Sequence, residues 1–246
     1  LFGQILETQP VKHRTIRGTI RYTSKKPEML DQPRGIEHFT FTHHTDGKTT
    51  LRAHCCIEEP DPTVMRDIVY SLDENHRPLD CHVRLVVGDR FMGSGWFRFG
   101  PDFVECESYG PDIGRLSQRV PLDGPIDGMG THPIVADGYL LHNLKFEQGK
   151  VRNVRVKLPS PDHRGATPPM ISEVNIGAVF LGVEEVTVQA GTFRARHYQF
   201  VDDGSSGMAG AHPPYDIWAE EQDGVFLKGG VGGYMQTWYE LTHLER

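Results

Sequence analysis

The stretch Phe39-Thr40-Phe41-Thr42-His43-His44-Thr45-Asp46-Gly47-Lys48-Thr49-Thr50-Leu51-Arg52-Ala53 decides the fold class. An Asp-Gly pair stands between two runs in which aromatic and aliphatic residues alternate with polar or β-branched ones, the sequence form of an antiparallel hairpin. The same form recurs at Gly88-Asp89, after Val83-Arg84-Leu85-Val86-Val87, and at Asp223-Gly224, before Val225-Phe226-Leu227. Working outward, strands are predicted at Thr15 to Thr23, Phe97 to Phe99, Phe103 to Ser108, Lys150 to Leu158, Gly182 to Gln189, Arg194 to Val201, Tyr215 to Glu220 and Met235 to His243. Helical periodicity is weak and yields only short turns near Pro62 to Val69 and around Tyr139 to Asn143. The expectation is an all-β chain of about a dozen antiparallel strands, closed into a single β-barrel domain over residues 1–246.

Glycine (27) and proline (17) supply the turns that so many strands require. They concentrate in three predicted loops, near 110–130, 159–169 and 202–214, and the first two are candidate lids over a pocket. No sequence match relates the two halves of the chain on either side of Gly110 to Gly130. A formal charge of -7, with basic residues spread from Lys12 to Arg246, argues against nucleic acid as a partner. No apolar run long enough to span a membrane is present, so no membrane partner is expected. Cys55, Cys56, Cys81 and Cys106 match no zinc spacing, and the first two are adjacent, which disfavours a bridge between them. Those cysteines, and a start Leu1-Phe2-Gly3-Gln4 without basic and apolar leader regions, lead to the expectation of a reduced, cytoplasmic chain.

The strand faces carry the functional reading. With a two-residue turn at Asp46-Gly47, Thr45 opposes Lys48, and Glu37, Phe39, Phe41 and His43 share a face with Thr50, Arg52, His54 and Cys56; a longer loop changes that register. His82 and Arg84 share a face of the next strand, Trp96 and Arg98 of another, and Asp216 and Trp218 of a later one. An ordinary solvent face would be rich in Lys and Glu, whereas Arg, His and Trp are the side chains that hold planar or anionic ligands. One reading is therefore a lumen lined by Arg52, His54, His82, Arg84, Trp96 and Arg98; the alternative is a plain solvent face.

The densest local constellation is Gly130-Thr131-His132-Pro133-Ile134-Val135-Ala136-Asp137-Gly138-Tyr139-Leu140-Leu141-His142. His132, Asp137 and His142 are acid–base or ligand-bonding types, but their spacing of five matches no standard metal pattern, and no metal is expected. His43-His44 point to opposite faces of a strand, so only one can serve a given site. Gly93-Ser94-Gly95-Trp96 is too short for a nucleophile elbow, and Gly229-Gly230-Val231-Gly232-Gly233 lacks the helix that would hold phosphate; a wide turn or a close backbone approach is expected there. Without a dinucleotide fingerprint no organic cofactor is expected.

What remains for an enzyme is acid–base work: isomerisation, dehydration, hydration or lyase cleavage of a small aromatic or polycyclic molecule, partly anionic or phenolic. His54, His82 and His132 are the candidate catalytic residues. Arg52, Arg84 and Arg98 would hold an anion, Trp96 and Trp218 would pack a ring, and Asp137 and His142 would contact substrate. The alternative is a small-molecule carrier without catalysis. Should the chain associate, a homo-oligomer is the form expected.

Val183-Glu184-Glu185-Val186-Thr187-Val188-Gln189-Ala190-Gly191-Thr192-Phe193-Arg194-Ala195-Arg196-His197-Tyr198, followed by Tyr215-Asp216-Ile217-Trp218, resembles a strand-turn-strand motif of uncharacterised, lipocalin-like proteobacterial β-barrel proteins. The resemblance covers the C-terminal quarter. It implies a lipocalin-like barrel with Gly191 at a turn and Phe193 in the core, and it implies no catalytic residue.

Overall fold

The computed structural model describes residues 13–162, 164–207 and 210–246, and the Leu1–Gln4 terminus lies outside them. Eight strands run first: β1 (Arg14–Ser24), β2 (Pro33–His43), β3 (Thr49–Ile57), β4 (Val64–Leu72), β5 (Pro78–Val87), β6 (Arg90–Phe99), β7 (Phe103–Gly110) and β8 (Gly114–Pro121). A two-residue strand β9 (Gly128–Met129) and the helix α1 (Val135–Asn143) follow. The chain ends with β10 (Val151–Leu158), β11 (Ser172–Val188), β12 (Gly191–Val201), β13 (Tyr215–Glu220), β14 (Phe226–Val231) and β15 (Thr237–Glu245).

All fifteen strands form one sheet in the order β8-β7-β6-β5-β4-β3-β2-β1-β15-β14-β13-β12-β11-β10-β9. Two meanders are thus joined where the first strand pairs antiparallel with the last, Ile20 opposite Leu241. The body is barrel-like without closing, since the edge strands β8 and β9 do not pair. The inner face of the sheet is buried, with Ile16, Ile20 and Tyr22 on β1, Phe39 and Phe41 on β2, and Leu51 and Cys55 on β3, while the edge strand β8 has no buried residue. Helix α1 lies against this inner face, where Tyr139 stacks on Phe41 at 4.8 Å and Gly138 lets the helix approach the Phe226 backbone.

Several sequence expectations are corrected. The β2–β3 connection is a three-residue loop, not a two-residue turn: His44 and Lys48 close it, Gly47 takes φ +86, and His43 pairs with Thr49. A shift of one residue exchanges the faces of β3. Phe41 therefore faces inward with Leu51, and Arg52 and His54 face solvent. The helical turn read at Pro62 to Val69 is mostly strand β4, where Val64, Arg66, Ile68, Tyr70 and Leu72 alternate inward with a period of two. The loop read at 110–130 contains β8 and β9, and the turn at Tyr139 is the end of a nine-residue helix.

The glycines of two loop-like motifs make room for neighbours. A Cβ on Gly93 or Gly95 would meet Pro169 at 2.9 and 2.7 Å, so the 159–171 segment can cross the inner face of β6. On β14 a Cβ at Gly230 would meet the Trp238 ring at 2.9 Å, the close approach expected of that glycine run.

The inward placement of Leu51 (1% exposed) gives an unequal pair of substitutions. Leu51→Ala is expected to cost about 2–5 kcal/mol in urea unfolding, as a buried leucine does. Arg52→Ala next to it should stay within about 0.5 kcal/mol; the reverse order would restore the shorter turn.

Candidate functional site

A buried acid organises the interior. Glu37 shares its strand face with Phe39 and Phe41 and is 0% exposed. Its carboxylate accepts the backbone N–H groups of Ile134 (2.9 Å) and Val135 (3.1 Å) and the Tyr22 hydroxyl (2.5 Å). The first turn of a helix has N–H groups without internal partners and carries partial positive charge, so an acid from β2 completes α1. Burial pushes Glu37 up to about 7, against the pull of its three donors and of the Arg66 charge.

Arg66 lies in the same cross-strand row, since Glu37 pairs with Cys55 and Cys55 with Arg66. The guanidinium is 1% exposed and donates from Nη2 to the carbonyls of Arg164 (2.8 Å) and Gly165 (2.7 Å). A Cβ on Gly165, at φ +62, would stand 2.2 Å from Nη2, so only glycine fits there. The segment is held at two more points: Arg164 donates to the carbonyls of Pro60 and Pro62, and His132 Nε2 donates to the Asp162 carbonyl at 3.0 Å. His132 adopts φ +73, a left-handed conformation uncommon outside glycine.

Beneath this strap lies a cavity of about 160 Å³. Its walls are mostly apolar, among them Leu140, Val156, Val174, Ile176 and Phe200. Tyr22, Tyr215 and Tyr239 add aromatic wall, with Tyr239 4.8 Å from Tyr22 and 6.0 Å from Tyr215. Arg34, His132, Asp162, Arg164 and His212 bring polar groups around the strap. Arg34 is already engaged, donating to the Glu59 and Met235 carbonyls at 2.9 and 2.8 Å.

Asp137, in the first turn of α1, also lines the cavity and keeps part of its surface open. Its carboxyl makes no hydrogen bond or ion pair among the described residues. Burial, and then the nearby charge of Glu37, raise its pKa to about 8. No cation among the described residues offsets that rise.

Of the residues selected from the sequence, the structure brings His132 and Asp137 to this cavity. It places the others elsewhere. Arg52, His54, His82, Arg84 and Arg98 are exposed on the outer face, and Trp96 is half-buried there. Their contacts are local: His54 with Asp67 at 2.8 Å, Arg84 over Phe91, and Arg98 with Glu105 at 2.5 Å. The lumen reading for these six is corrected, because the register puts the aliphatic parity inside. Trp218 is also outward, stacked on His197 at 4.0 Å and bonded to Glu184. His142 lies against Gly224 at the far end of α1, outside the cavity lining.

The residues that sequence reading missed are Tyr22, Arg34, Arg66, Arg164, Tyr215 and Tyr239. For Arg66 a signal existed: a charged residue at the apolar parity of an alternating run, visible once residues 64–72 are read as strand.

No family model and no curated protein matches this chain. Among solved structures it is similar to a β-barrel-like protein of domain of unknown function DUF1849 from Brucella abortus, with a TM-score of 0.58 and 11% identity over 94% of this chain and 97% of that chain. The likeness is one of fold. A DUF1089 family protein from Pseudomonas aeruginosa superposes with a TM-score of 0.48 and 11% identity, covering 81% of this chain and 90% of that one. Because the likeness spans most of the chain, the resemblance confined to the C-terminal quarter is corrected to one of the whole barrel-like body. Gly191 does close the β11–β12 turn, at φ +141, and Phe193 packs partly buried against the core.

Two acids with raised pKa bear on the pH dependence. Glu37 and Asp137 hold their protons more tightly folded than unfolded, so each contributes stability below its ordinary range that is lost as pH rises toward about 7 and 8. His43, His76 and His142, lowered mainly by burial, act in the opposite sense as pH rises toward the ordinary histidine range. The decisive comparison is with Asp137→Asn, whose urea midpoint should gain on that of the parent as pH rises from about 5 to about 8. A difference between the two that stays constant over that interval would contradict the assignment.

Proposed function

We propose that the protein binds a small, largely apolar molecule in the cavity beneath the 159–171 strap, as a carrier. The carrying observation is an apolar-walled cavity of about 160 Å³ on which opens an acid, Asp137, unpartnered among the described residues. A cavity of about 150 Å³ holds one benzene-sized molecule. The volume therefore supports a single-ring ligand over a polycyclic one. Binding sites of this kind have apolar walls and a few polar groups that set orientation. The strap residues Pro161, Asp162 and Arg164 would shield the bound molecule from solvent.

Cofactor-free acid–base catalysis is the second reading, and Asp137 favours it. A carboxylic acid kept protonated near neutral pH is of the type used as a general acid. Its weakness is the partner base: His54 and His82 lie on the outer face, and His132 is bonded to the strap. The carrier reading needs no such partner.

Toluene serves as a neutral probe of the space. It should bind saturably and raise the melting temperature, with a stabilisation of about 2.7 kcal/mol at a hundredfold excess over Kd. Val174→Phe, which fills the wall, should weaken that binding at least about tenfold. His54→Ala and His82→Ala should leave it unchanged. A loss of binding in the two outer-face variants, with Val174→Phe unaffected, would place the site outside.

A further inference from the structure

Resting on the reading of the cavity as a small-molecule site, the chemistry of its acidic end specifies the ligand's polar group. Asp137 opens on the cavity without a hydrogen bond or ion pair among the described residues. The nearest ionisable neighbour bearing on it is Glu37, another acid, and no arginine reaches it. Arg34 donates to two backbone carbonyls and pairs with the Glu59 carboxylate, and Nη2 of Arg66 and of Arg164 donate to carbonyls as well. Tyr215 and Tyr239 line the same cavity as Asp137, and its charge bears on both hydroxyls. With Tyr22 and Phe200 they form a run of four rings along the cavity, with successive centroids 4.8, 6.0 and 6.0 Å apart. A carboxyl and aromatic rings lining one cavity can receive an organic cation, which pairs with the acid and lies against the rings. An anionic group placed at Asp137 would lie beside that acid and within the reach of Glu37, whereas the arginines of the lining, Arg34 and Arg164, stand at the strap.

We propose that the cavity takes a small protonated amine, its ammonium on Asp137 and its apolar body against Val174, Ile176 and Phe200. The expected head group is thus opposite in charge to the one implied by the arginine-rich outer face. The amine loses no bond and transfers no group; Asp137, which holds its proton above the ordinary range, releases it to solvent as the ammonium binds.

The test is isothermal titration of the purified chain with four probes of one size: benzylamine, benzyl alcohol, benzoate and toluene. Benzylamine should bind at least about tenfold more tightly than the other three, the scale of one charge-assisted hydrogen bond. Asp137→Asn, close to isosteric, should bring benzylamine down to the level of benzyl alcohol and leave toluene binding unchanged, which also reports an intact fold. Benzyl alcohol or benzoate binding as tightly as benzylamine overturns the amine assignment. So does benzylamine binding no better than toluene, although the cavity would still be a small-molecule site. If none of the four binds, the cavity reading fails, and this inference with it.

Discussion

The interior is organised around one carboxylate. Glu37 reaches from β2 to the first turn of α1 and accepts two of its N–H groups, with Tyr22 of β1 as a third donor. A nine-residue helix is too short to be stable in water by itself. Its position inside the curled sheet follows from this cap and from the stacking of Tyr139 on Phe41. Removing water from an acid is costly, and here the helix end and the hydroxyl repay part of that cost. The same contact brings Asp137, in the same first turn, to the wall of the cavity.

A second anchor faces the first across Cys55. Arg66 binds not a carboxylate but two backbone carbonyls of the strap. A charged group on the sheet thereby holds a loop that has no strand partners of its own. Glu37 thus locates the helix and Arg66 the cover, and the cavity is the space left between them. Neither residue is part of the cavity wall, and both belong to strands of the sheet, as is favourable for holding a site in shape.

The fold was legible because its signals are local. Turn residues between alternating runs marked most strands, and Tyr215 to Glu220 was read with its observed bounds. The site was less legible for a reason visible in a single hairpin. Asp46-Gly47 is compatible with a two- or a three-residue loop, and the choice decides whether Leu51 or Arg52 faces inward. Composition then misled: Arg, His and Trp suggested a lined lumen, yet Arg52, His54, His82, Arg84, Trp96 and Arg98 occupy the outer face, where His54 meets Asp67, Arg98 meets Glu105 and Arg84 lies over Phe91. His132 and Asp137 were found because they lie in one dense segment. Tyr22, Tyr215 and Tyr239 come from strands far apart in the sequence, and no local pattern links them before β1 and β15 pair.

An unclosed sheet leaves two rims on which another chain could add as a further strand, the usual route to aggregation of β proteins. The chain treats its rims differently. At one end β9 is two residues long, too short to template a partner. At the other, β8 is a full strand, but it carries Arg115 and Arg119, tied to Glu107 and Glu105 of β7, and it ends in Pro121. A strand added there would have to lie beside two ion-paired arginines and a residue that cannot donate, which disfavours pairing along the edge that the barrel leaves open.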